Sequence, residues 1–171
     1  MLLACLALGS ASAAAQFRSV ADPAVLYDAP TVRGKKLYVL SRGYPVDVVV
    51  TLDAWVKVRD PSGELAWMEQ KSLAEKRTVI VTAPNAQVRQ RDDDAAPVVF
   101  QPGAGVVLEY AEPAAPGWIR VRHRDGESGF VRLSQVWGGC WVPRSSSVSV
   151  SFALQCTSRS SARALGARRS R

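Results

Sequence analysis

From Val20 to Gly138 apolar and polar residues alternate in short runs, and nowhere does an apolar stripe persist at the 3.6-residue spacing of a helix. The clearest run is "WVKVR", Trp55–Arg59, which puts Val56 and Val58 on one side and Trp55, Lys57 and Arg59 on the other. Ahead of it, Val46 to Thr51 is a β-branched apolar run. Behind it, "DPSGE" supplies the Asp, Pro and Gly of a tight turn that leads into another strand. The pattern predicts an all-β chain of short strands and turns.

The pattern is also written twice. Trp55, Val58, Arg59, Gly63 and Glu64 meet identical residues 63 positions later, at Trp118, Val121, Arg122, Gly126 and Glu127. Five identities in a fourteen-residue window compare with about one expected from ordinary residue frequencies. Other pairs match in kind: Val56 with Ile119, Lys57 with Arg120, Ala66 with Gly129, Trp67 with Phe130. Upstream the offset is 60, where Gly43 meets Gly103 and Val46 meets Val106. The difference of three is absorbed where "TLDA" in the first copy becomes "AEPAAPG" in the second, a Pro- and Gly-containing insertion suited to a loop. A unit of about sixty residues has been duplicated. Short strands in so small a unit, with one variable loop near its start ("YDAPTVRGKK", then "RQRDDDAAP"), predict a small closed barrel that hides its edges. The expected boundaries are 21–76 and 78–138, with Ala74–Arg77 as a linker too short to let the barrels part.

These stretches resemble a known family. "GYPVDVVV" followed by "WVKVRDPSGELAW", and "GAGVVLEY" followed by "WIRVRHRDGESGFV", are similar to the bacterial SH3-like domains of exported proteins, and the likeness covers roughly Ala21 to Gly138. It implies two tandem five-stranded SH3-like β-barrels in the cell envelope with a binding role and no catalysis. Many such domains accompany cell-wall hydrolases and hold peptidoglycan or peptide; no hydrolase domain is seen in this chain.

The ends read differently. "MLLACLALGSASAAAQ" has a short apolar run, then small residues, with Ala13 and Ala15 spaced as the last positions before a cleavage at Gln16. Residues 1–15 therefore read as a signal peptide, too short for a transmembrane anchor, and place the protein in the periplasm or outside the cell. Residues 139–171 hold six of the 22 basic residues and no acidic one, which leaves 16 basic against 15 acidic for the rest of the chain. The net charge of +7 is thus a property of the tail, read as a disordered end or as text foreign to the protein. Specific nucleic-acid recognition is not expected. Cys5, Cys140 and Cys156 lie outside 16–138, which argues against a disulfide framework or a structural zinc site.

Catalytic chemistry has few places to reside. His123 is the lone histidine and sits at a hairpin turn, where a solvated turn residue is the simplest reading. Asp92, Asp93 and Asp94 lack the spacing of a calcium loop and read as a charged loop tip. No enzyme, cofactor or metal is expected. Binding is better supported, because aromatic grooves hold extended peptides in SH3-type folds. The candidate ligand-binding residues are Trp55, Trp118, Tyr27, Tyr44, Arg59 and Arg122, with Arg33, Lys35 and Lys36 offering charge to carboxylates. Strict alternation turns Trp55 and Trp118 outward if the intervening valines point in. The faces of Trp67 and Phe130 depend on turn length, because one extra residue flips them. The expected role is an exported adaptor that binds peptidoglycan or its peptides. A protein-protein scaffold or regulator of an envelope enzyme or sensor is the alternative, and anionic-polymer binding through the tail a third.

Overall fold

A computed structural model describes residues 16–139. The expected signal peptide and all but the first residue of the expected tail lie outside them. Within this span the chain is all-β and forms two seven-stranded antiparallel sheets, each curled around its own core. No helix among the described residues is long and apolar enough to cross a membrane.

The first sheet contains β1 (Gln16–Val20), β2 (Ala24–Tyr27), β3 (Lys36–Leu40), β4 (Pro45–Leu52), β5 (Trp55–Arg59), β6 (Leu65–Glu69) and β7 (Leu73–Ala74), in the order β3-β2-β6-β5-β4-β1-β7. The second contains β8 (Thr78–Val81), β9 (Val88–Arg89), β10 (Val98–Phe100), β11 (Val107–Pro113), β12 (Trp118–Arg122), β13 (Ser128–Arg132) and β14 (Val136–Trp137), in the order β10-β9-β13-β12-β11-β8-β14. Adding seven to each label of the first order yields the second, so the duplication read from sequence is a duplication of topology. Each sheet has two strands more than the five expected. In the first, the leading strand breaks at Asp22–Pro23, where proline removes a ladder donor and restricts the residue before it, giving β1 and β2. Beyond the 3-10 turn Gln70–Ser72, the two residues of β7 pair back onto β1. The first sheet also begins at Gln16, five residues ahead of the expected start.

The cores follow the alternation. Val56, Val58, Ala66 and Met68 point into the first barrel with Leu26, Val46 and Val20. Ile119, Val121, Val131 and Leu108 fill the second with Val79, Val81 and Val88. The β5–β6 register pairs Val56 with Met68 and Lys57 with Trp67; the β12–β13 register pairs Ile119 with Val131 and Arg120 with Phe130. Directly opposed residues share a face, so Trp67 and Phe130 both lie outside. The turns Asp60–Glu64 and His123–Glu127 have equal length, each with a glycine at positive φ (Gly63 +92°, Gly126 +99°), a conformation costly for a side chain.

The barrels meet along a seam. Thr78 Oγ1 donates to the Gly43 carbonyl at 2.6 Å, the Ser19 hydroxyl donates to the Lys76 carbonyl, and the rings of Phe17 and Trp137 stand edge to face with centroids 5.0 Å apart. Trp137 is thereby a seam residue.

Ala66 and Gly129 occupy matching positions but cannot be exchanged freely. A Cβ on Gly129 would lie 2.6 Å from the Arg89 carbonyl oxygen and 2.6 Å from a Val88 methyl. Gly129→Ala is expected to destabilise the second barrel by about 1–3 kcal/mol through overpacking, read from the urea midpoint. Unchanged stability would mean that β9 moves aside without cost.

Candidate functional site

Outward residues of the first barrel form one continuous face. Across the sheet, Val50 on β4 opposes Lys57 on β5, Lys57 opposes Trp67 on β6, Trp67 opposes Tyr27 on β2, and Tyr27 opposes Lys36 on β3. One row over, Leu52 opposes Trp55, which opposes Glu69. The Tyr27 and Trp55 rings meet edge to face at 5.5 Å, and the Lys57 ammonium sits 5.8 Å from the Trp67 ring centre. Such contacts order the rings while leaving apolar surface to a partner. Val50, Leu52 and Leu65 around them are exposed, and so is Val39, which faces Val25. Glu69 is taken by Lys71 at 3.0 Å. Lys36 and Lys57 make no ion pair among the described residues.

The candidate residues do not gather in one place. Tyr27 and Trp55 meet on this face. Arg59 is outward too, but its guanidinium is held 3.2 Å from Asp47 across β4. Tyr44 packs against the first core near Tyr38 and Asp60, where burial pushes its phenol up. Arg122 is exposed on the second barrel. Arg33, Lys35 and Lys36 are exposed around the β2–β3 loop, and Lys35 and Lys36 line an open groove with Leu37, Tyr38, Glu64 and Leu65.

Trp118 departs from expectation. It is on the outer side of its strand, yet it is only 5% exposed and presents no open ring. The Arg132 guanidinium lies 4.6 Å over its ring, and Asp94 binds that guanidinium, with Arg132 Nε donating to Oδ1 at 2.9 Å. Alternation therefore assigned the correct strand face, but a side chain from β13 covers it. Sequence reasoning missed Arg132, Lys57 and the placement of Trp67. The available signal for Arg132 was its position opposite Trp118, where the first copy has Glu69 opposite Trp55.

His123 and the aspartates have structural partners. His123 holds the turn place of Asp60, receives the Gly126 N–H on its carbonyl and sits 3.0 Å from Asp125 through Nδ1. Asp92 accepts the Ala115 N–H at 3.0 Å, Asp93 the Ala95 N–H at 3.1 Å, and Asp94 the Arg132 guanidinium. Among the described residues, no three His, Cys, Asp or Glu side chains cluster as a metal site.

Tyr38 borders the groove, its hydroxyl 3.4 Å from Asp60 Oδ2. Burial first, then the Asp60 and Glu64 charges, raise its pKa from 10.0 to about 12. Because the folded value is raised, this contribution to stability is intact below pH 10 and lost as pH climbs toward 12. An ultraviolet titration should show a late tyrosinate step near pH 12 that Tyr38→Phe removes. An unaltered late step in that variant would contradict the assignment.

The family profile described as bacterial SH3 domain matches twice, over residues 20–75 and 82–138. No curated protein matches the sequence. Similar solved structures include NlpC1 from Trichomonas vaginalis (17% identity, TM-score 0.35, covering 80% of this chain and 50% of that one). NlpC2 from the same organism has 16% identity, a TM-score of 0.32 and coverages of 72% and 48%. An NlpC/P60 family protein from Bacillus cereus has 17% identity, a TM-score of 0.33 and coverages of 71% and 56%. The chain spans about half the length of each.

Proposed function

The chain belongs to the bacterial SH3 domain family, and we propose that it is an exported, non-catalytic module that binds the peptide part of the cell wall through the outward face of its first barrel. The observation that carries this reading is the outward Tyr27–Trp55–Trp67 face, its rings half-buried, with Lys36 and Lys57 beside it and no carboxylate on either among the described residues. Wall peptides combine aliphatic side chains with free carboxylates, and an aromatic platform edged by unpaired ammonium groups complements both. The non-catalytic part rests on the side chains themselves. The lone histidine is engaged in a turn, and the acidic loop is engaged in hydrogen bonds. Export rests on the leader-like text before Gln16.

The test is retention of the full chain on purified peptidoglycan at low and high salt, beside Trp55→Ala. The unaltered chain should stay bound at high salt. The variant should lose at least tenfold in affinity, the scale of an aromatic anchor, while near-ultraviolet circular dichroism shows the fold intact. Retention that vanishes in salt, with Trp55→Ala behaving like the parent, would instead assign binding to the basic tail. Absence of retention at either salt would overturn the wall reading and favour a protein partner.

A further inference from the structure

In the second barrel three parts of the chain gather around Trp118, the counterpart of Trp55. The β11–β12 connection is longer than β4–β5, and Asp92 fastens it by accepting the Ala115 N–H at 3.0 Å. Arg89, standing where the first barrel has Tyr27, donates to the Ala96 carbonyl at 2.6 Å and so secures the loop that carries Asp94. Asp94 then takes the Arg132 guanidinium through both carboxylate oxygens, and the guanidinium carbon lies 4.6 Å from the Trp118 ring centre. The outer row also changes character: Glu112 pairs with Arg120 at 3.0 Å, where the first barrel has Val50 and Lys57.

We propose that Arg132 stacked on Trp118 is a carboxylate-binding subsite of the second barrel, kept occupied by Asp94 as a built-in stand-in for a ligand. A guanidinium bound by both oxygens of one carboxylate and backed by an indole is a complete recognition unit for a peptide carboxylate. Nothing in its geometry requires that the carboxylate come from this chain. The Asp94 and Arg132 side chains remain 65% and 39% exposed, so a competing anion can reach them. Exposed pairs of this kind are individually weak. Asp94 prevails through proximity, since tethering gives it an effective concentration of about millimolar order. That the natural ligand is a wall peptide rests on the function proposed above; occupation by Asp94 does not.

The experiment counts binding equivalents by calorimetry on the full chain, with N-acetyl-alanyl-alanine as probe and its C-terminal amide as control. Asp94→Ala should bind one more equivalent of the acid than the parent, show no gain for the amide, and lose the gain when Arg132→Gln is added. Asp94→Asn, which keeps the loop's shape and removes the charge, gives the same answer should the alanine variant fold poorly. Equal stoichiometry in the parent and both Asp94 variants would overturn the proposal. A parent that ignores peptidoglycan while Asp94→Ala gains its equivalent would defeat the wall reading and leave the subsite standing; the opposite pair of results would defeat the subsite alone.

Discussion

The turn from Asp60 to Glu64 fixes which side of the first barrel every residue of β5 and β6 occupies. The Asp60 carboxylate accepts the backbone N–H groups of Ser62 at 2.8 Å and Glu64 at 3.0 Å and the Ser62 hydroxyl at 2.6 Å, while the Asp60 N–H reaches back to the Glu64 carbonyl. Those bonds set the number of residues in the turn, and that number sets the register. A slip of one residue would drive Trp67 into the core and expose Met68, which is completely buried. The outward aromatic row therefore exists because a short polar loop at the far end of the hairpin counts correctly. In the second copy the same two backbone bonds recur, His123 N–H to the Glu127 carbonyl at 2.7 Å and Gly126 N–H to the His123 carbonyl at 3.0 Å, and they keep the count with a histidine in place of the aspartate.

Once the register is set, the two sides of each sheet obey different rules. Inward positions tolerate only small adjustments of volume between the copies, such as Val56 to Ile119 or Met68 to Val131. Outward positions contribute less to burial and have diverged in kind. Tyr27 becomes Arg89, Glu69 becomes Arg132, and Leu65 becomes Ser128. One scaffold thus carries an apolar surface on one unit and a surface laced with ion pairs on the other. Duplication supplied the second barrel, and side chains that hold no core in place supplied the difference.

What could be read in advance follows from range. Strand alternation and turn residues act over two to five positions, so the all-β character, the repeat and the inward valines were legible without coordinates. The covering of Trp118 was not, because it joins β13 to a loop 38 residues away. The opposed pair Trp118 and Arg132 could be located only once the register was known, and the register depends on a turn length that the residue types alone leave open. The surroundings of Tyr44 and Arg59 were hidden for a related reason. Their neighbours, the Tyr38–Asp60 pair and Asp47, come from other strands, so these contacts could not be inferred from their own.

The edge-to-face contact of Phe17 with Trp137 brings the second described residue of the chain against one of the last three. Phe17 and Trp137, 120 positions apart in the sequence, are therefore neighbours across the seam. A circularly permuted form of residues 16–139 could be closed beside this contact, and new ends opened in an exposed turn such as Asp60–Glu64 would come at the expense of the register it sets. The β4–β5 connection at Asp53–Ala54, exposed and remote from that turn, is the place where a circularly permuted form would keep both barrels whole.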